Sequence, residues 1–157
     1  MKEITVILHV SDSTWGNAVA IDEWHRNRPQ PFRMIGYQRV FLNGVMAHGQ
    51  SYVKRLDGVI ETGRPYGVRG AHTRGANHHA GWCLVGRSGE WTKKQIKAVK
   101  KEIKALLEED GYDVVRVKQH SDYDPVNKPF CAGFSDKQME EFNVIGRGYG
   151  KYITRRQ

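Results

Sequence analysis

Residues 4–10, "ITVILHV", are apolar or β-branched at almost every position, the pattern of a strand buried on both faces of a sheet. "SDST" then breaks the run and leaves His9 at the carboxyl end of a central strand, where α/β sheets commonly place ligands and chemistry. From Asn17 to about Arg26 the period changes: Ala18, Ile21, Trp24 and His25 recur at helical spacing, and Pro29 and Pro31 end the segment. Residues 37–42 and 51–55 read as strands. Asn43-Gly44 and Asp57-Gly58 are dipeptides that tight hairpin turns prefer, so a meander is predicted for the middle of the chain. Residues 81–86, "GWCLVG", predict another buried strand, with Cys83 as an ordinary core residue.

The clearest periodicity follows. Thr92 and Gln95 form a capping-box pattern, Ile96, Val99, Ile103, Leu106 and Leu107 make one apolar stripe, and Gly111 stands after the last turn as a stop. The lysines of this helix fall on the opposite face, as a solvated surface requires. Residues 113–117, "DVVRV", return as a strand that delivers His120 to its end. These elements predict an α/β fold: a single domain over residues 1–157, with a central mixed sheet of about five strands flanked by helices and chemistry at the strand ends.

Composition narrows the class. With 39% hydrophobic and 27% charged residues and no repeat or low-complexity tract, disordered and solenoid classes lose support. The longest apolar run, residues 4–10, is far short of the roughly 20 residues of a membrane span. The "MKEITV" start lacks the apolar core of a signal peptide, so cytoplasmic synthesis is expected. Two cysteines cannot build a disulfide framework, although one Cys83 to Cys131 bridge stays open. A net charge of +8 and a pI near 9.6 favour a polyanionic partner: nucleic acid, an anionic membrane or an anionic cell wall. The basic residues are densest in the long helix and in a tail from about residue 143; no nucleic-acid-binding motif accompanies them, and no specific nucleic acid is expected.

His9 and His120 at two strand ends, with Cys131 on a loop that "NKP" and "AGF" bend back, make a His, His, Cys constellation. Zinc accepts imidazole nitrogen and thiolate sulfur, and three protein ligands leave a fourth position for water. Seven histidines also permit other triples, and Cys131 with His120 as base would suit a thiol peptidase, although no predicted helix start lies at Cys131 to lower its pKa.

Five segments in order carry a resemblance over residues 4–134: "ILHVSDS", "EWHRNRP" with "FRMIGYQRV", "LDGVIETGRP", "GAHTRGANHHAGWCLVG", and a closing "H…DP…K…C.GF". In this order they resemble the zinc-dependent N-acetylmuramoyl-L-alanine amidases of the phage T7 lysozyme type, related to the peptidoglycan recognition proteins. The resemblance implies one Zn2+ held by His9, His120 and Cys131, Tyr37 as catalytic partner and Lys128 as stabiliser of the oxyanion or substrate. It places His72 and Asn77 in the "GAH…N" segment, lining a peptide groove or capping the turn of "TRGAN". The implied activity is cleavage, by zinc-activated water, of the amide between the lactyl group of N-acetylmuramic acid and L-alanine of the stem peptide. The implied protein is a cell-wall-degrading hydrolase with a peptidoglycan or muropeptide substrate; a phage or prophage endolysin, reaching the wall through a membrane pore or delivery system, a delivered toxin and a bacterial cell-wall recycler all stay open, and a monomer is expected. A peptidoglycan-binding module of the same fold is the alternative. Several positions depart from the family pattern: Lys128 stands three residues before Cys131 instead of two, Gly36-Tyr37-Gln38 replaces Gly-Tyr-His, and Cys131-Ala132-Gly133 replaces Cys-Pro-Gly. A lengthened hairpin also makes Tyr52 a second candidate for the tyrosine position.

Overall fold

Strand β1 (Glu3–Val10) pairs in parallel with two neighbours, as its unbroken apolar run requires, in a computed structural model that describes residues 1–148. The five-stranded sheet has the order β3-β2-β4-β1-β5, with β2 (Arg39–Asn43), β3 (Asp57–Thr62), β4 (Ala80–Leu84) and β5 (Val114–Gln119). Only β3 runs antiparallel, so the sheet is mixed, within a single domain.

Alternation along the strands divides the core in two. Val6, Leu8, Phe41, Trp82 and Leu84 pack against α2 (Lys93–Glu108), through Val99, Ile103 and Leu106, and against Phe142 of α4 (Asp136–Gly146). On the other face Val40, Leu42, Cys83 and Val85 meet Ile21 and Trp24 of α1 (Ala18–Arg26), the loop around Ile35, and Met46. Because Leu8 faces the two-helix side, His9 faces the thinly covered one. That asymmetry leaves room for a cleft.

Local chemistry fixes the helix starts. Asn17 accepts a hydrogen bond from the Ala20 N–H, and both Thr92 with Gln95 and Ser135 with Gln138 form reciprocal capping boxes. Gln95 does more than cap. Fully buried, its amide also donates to the carbonyls of Phe41 (2.9 Å) and Val85 (2.8 Å). Replacing Gln95 with leucine leaves the Val85 carbonyl without this donor, while the Phe41 carbonyl keeps the Val85 N–H at 3.0 Å, and costs about 1–3 kcal/mol, read as a lowered Tm in thermal unfolding.

Residues 51–55 are not a strand. The Val53 N–H closes onto the Gly44 carbonyl at 2.8 Å, and the chain then makes a 3-10 turn at Lys54–Leu56. Asp57-Gly58 opens β3 instead of turning a hairpin: Asp57 accepts the Thr92 hydroxyl at 2.6 Å, and Gly58, at φ +79°, lets the backbone approach Lys94. Helix α4 was not among the predicted elements. The tail expected from about residue 143 begins inside α4, and from residue 149 it lies outside the described residues. No helix among the described residues is long and apolar enough to cross a membrane.

Candidate metal centre and cleft

Register brings the first two site residues together. Leu8 pairs with Gln119, so the next residue of each strand, His9 and His120, lie side by side with ring centroids 4.4 Å apart. His120 opens the short helix α3 (His120–Tyr123), whose start is fixed by the Gln119 N–H donating to Asp122 at 2.8 Å. The loop then returns: the Ser121 N–H donates to the Cys131 carbonyl at 2.6 Å, and Gln119 exchanges two hydrogen bonds with the Phe134 backbone. His9, His120 and Cys131 thereby offer ligand atoms that all lie within 4.8 Å of one another.

The donor set suits zinc: two imidazole nitrogens and one sulfur, with three ligands leaving a vacancy. Its electrostatics agree. Burial, reinforced by His72, His120 and Lys128, holds the His9 imidazole well below its usual range, and burial and then Lys128 lower His120. Both are therefore in the neutral form that binds metals. Burial raises the Cys131 thiol, partly opposed by the Val10 N–H and by Lys128. A thiol peptidase is served by the opposite shift in its nucleophile.

Tyr37 stands just before β2 with its ring 5.1 Å from that of His9. Burial, followed by Cys83 and Cys131, keeps its phenol well above the ordinary range. Tyr52 points elsewhere: it is exposed, and its hydroxyl donates to Asp57 at 2.6 Å. Lys128 lines the same cleft as His9, Tyr37, His120 and Cys131, and its charge acts on both histidines and the thiol despite its offset in sequence. The cleft has a volume of about 820 Å3.

His72 and Asn77 also border the cleft. The Asn77 carboxamide oxygen accepts from the backbone N–H groups of His72 (2.7 Å) and Thr73 (2.8 Å), so that side chain caps the turn. His72 turns inward, with Nδ1 3.1 Å from His9 Nε2 and 2.9 Å from the Thr73 hydroxyl. Burial lowers its pKa to about 4.

Two cleft residues escaped the sequence reading. Thr73, buried, has its hydroxyl 3.2 Å from His9 Nε2; nothing in a single threonine signals this. His25, read only as part of a helical period, has its Nδ1 accepting the Gly36 N–H at 2.9 Å and its ring between Phe32 and Tyr37, bracing the tyrosine. Its place one turn after Ile21 on the inner face of α1 was the available signal. Burial, then Arg28 and Arg64, lowers the His25 pKa from 6.5 to about 4. Between those values the unfolded chain binds the extra proton, so this contribution to stability is complete above about pH 6.5 and lost as pH falls towards 4. Melting temperatures measured from pH 7 to 4 will therefore fall more steeply for the native chain than for His25→Gln.

No family model and no curated protein matches the sequence. Solved structures do. N-acetylmuramoyl-L-alanine amidase LysC from Clostridium intestinale is 21% identical with a TM-score of 0.68, covering 92% of this chain and 85% of that one. Bumblebee PGRP-SA is 22% identical with a TM-score of 0.63, covering 87% and 80%. Human PGRP-IBETAC, solved in complex with glycosamyl muramyl pentapeptide, is 18% identical with a TM-score of 0.60, covering 78% and 74%. At such identities the likeness is one of architecture, and the chain has the fold that these amidases and PGRPs share.

Proposed function

We propose that this protein is a zinc-dependent N-acetylmuramoyl-L-alanine amidase, acting on peptidoglycan or its muropeptides. The carrying observation is the gathering of His9, His120 and Cys131 ligand atoms within 4.8 Å, at the floor of a cleft that also holds Tyr37 and Lys128. The amide substrate is suggested by the LysC amidase and by the muramyl pentapeptide complex of the human PGRP, which have this fold.

In this reading His9, His120 and Cys131 hold one Zn2+. A zinc ion so held supplies Lewis-acid chemistry, polarising a carbonyl and bringing the ionisation of water to about pH 7. The protein's own groups do the rest. Tyr37, kept as a neutral phenol, can hold the attacking water by a hydrogen bond or relay that water's proton towards the departing amine of L-alanine, ending again as the phenol. Lys128, an ammonium at the cleft, faces the negative charge that grows on the amide oxygen. Lys128→Met lowers kcat by about 10–100-fold while zinc content stays unchanged, a smaller loss than for an enclosed donor because this side chain is exposed.

The alternative, a peptidoglycan-binding module, shares the fold but has no need of a thiol among two imidazoles. Purified peptidoglycan separates the two. The amidase clears its turbidity when zinc is supplied and fails to do so in EDTA; a receptor sediments with the wall and leaves turbidity constant under both conditions.

A further inference from the structure

A histidine that ligates a metal commonly gives its other ring N–H to a fixed acceptor, which sets both its tautomer and its orientation. His9 has such an acceptor. His72 Nε2 lies 2.8 Å from the His79 carbonyl oxygen, which carries no proton, so Nε2 is the His72 N–H. A neutral imidazole carries one N–H, so with that proton on Nε2 the other nitrogen, Nδ1, is a bare acceptor, and the Thr73 hydroxyl stands 2.9 Å from it, placed to donate. That bare nitrogen is 3.1 Å from His9 Nε2.

Two unprotonated nitrogens at that distance would oppose lone pairs. His9 Nε2 must carry the proton, which leaves Nδ1 as the one lone pair His9 can offer a metal. Thr73 completes the triangle: its hydroxyl, 2.9 Å from His72 Nδ1 and 3.2 Å from His9 Nε2, can donate to the first while accepting from the second. Either route runs the same way, from His9 as donor to His72 as acceptor.

The His72 ring is held in a built slot. A Cβ on Gly81 would lie 2.5 Å from His72 Cγ and Cδ2, and one on Gly70 would lie 2.5 Å from Cδ2, so only glycine at both places admits the ring. Asn77 fixes the backbone beneath it through the N–H groups of His72 and Thr73. Ring, slot and turn form one support.

We infer that His72, assisted by Thr73, is a positioning residue that locks His9 in the Nε2–H tautomer and aims its Nδ1 lone pair at the metal, instead of serving as a substrate contact. This rests on the metal reading proposed above, and the test separates the two. In metal-free protein, long-range 1H–15N spectra of the imidazoles will show His9 and His72 both as Nε2–H tautomers. Zinc competition with a chromophoric chelator will show affinity weakened by about 10–100-fold in His72→Leu. His72→Asn, whose carboxamide oxygen stands near the Nδ1 position, recovers most of that loss. Amide spectra check folding, and Thr73→Val, nearly isosteric, shows a smaller loss of affinity should His72→Leu misfold. An Nδ1–H tautomer at His9 in the native protein, or native zinc affinity in His72→Leu, overturns the lock alone. The expected tautomers with no zinc uptake by the native protein overturn the metal reading and the lock's role with it.

Discussion

Cys131→Ser removes zinc-dependent hydrolysis. Serine offers a neutral hydroxyl where the site requires a sulfur anion, and two imidazoles alone do not hold a catalytic zinc of this kind. Lewis-acid stabilisation is worth several kcal/mol, so its loss lowers the rate by at least about 10³-fold at 1.36 kcal/mol per decade. Zinc content falls in parallel, whereas the fold persists: Cys131 is only partly buried and lies on a loop outside both core clusters. Metal analysis of the purified variant beside muropeptide hydrolysis checks both halves. A nucleophilic cysteine would also lose activity on this substitution, but its native form would survive EDTA.

Tyr37→Phe separates the chemistry from the metal. Only an oxygen is removed, and His25, itself packed against Phe32, still braces the ring. Zinc content is expected to stay at one ion per chain, with KM little changed. The loss falls on kcat, by about 10²–10³-fold, the range of a single well-placed proton donor. Such a split identifies Tyr37 as acting on the developing transition state. A rise in KM at constant kcat would make it a binding residue.

Much of this was legible in the chain because the strongest signals were local. The unbroken run that carries His9, the Thr92 capping box with its apolar stripe and the strand leading to His120 each stand as read. The 51–55 segment misled because β-branched and aromatic residues also suit an extended loop, and a single contact between Val53 and Gly44 set its course. Helix α4 carries its own box, Ser135 with Gln138, but its stripe of Met139, Phe142 and Ile145 is short and its burial depends on β5 and α2. The support around His9 was the least legible. His72 meets His9 across 63 residues of chain and Thr73 meets it across 64. Such contacts come from the order of strands in the sheet, which periodicity does not encode.

The most direct measurement is the mass and end-group analysis of peptidoglycan digested by the zinc-loaded protein. Free stem peptides beginning with L-alanine, together with glycan chains carrying intact lactyl groups and absent from an EDTA-treated digest, are the predicted products. Reducing sugar ends, cleavage within the stem peptide, or the same products in EDTA would contradict a zinc-dependent N-acetylmuramoyl-L-alanine amidase.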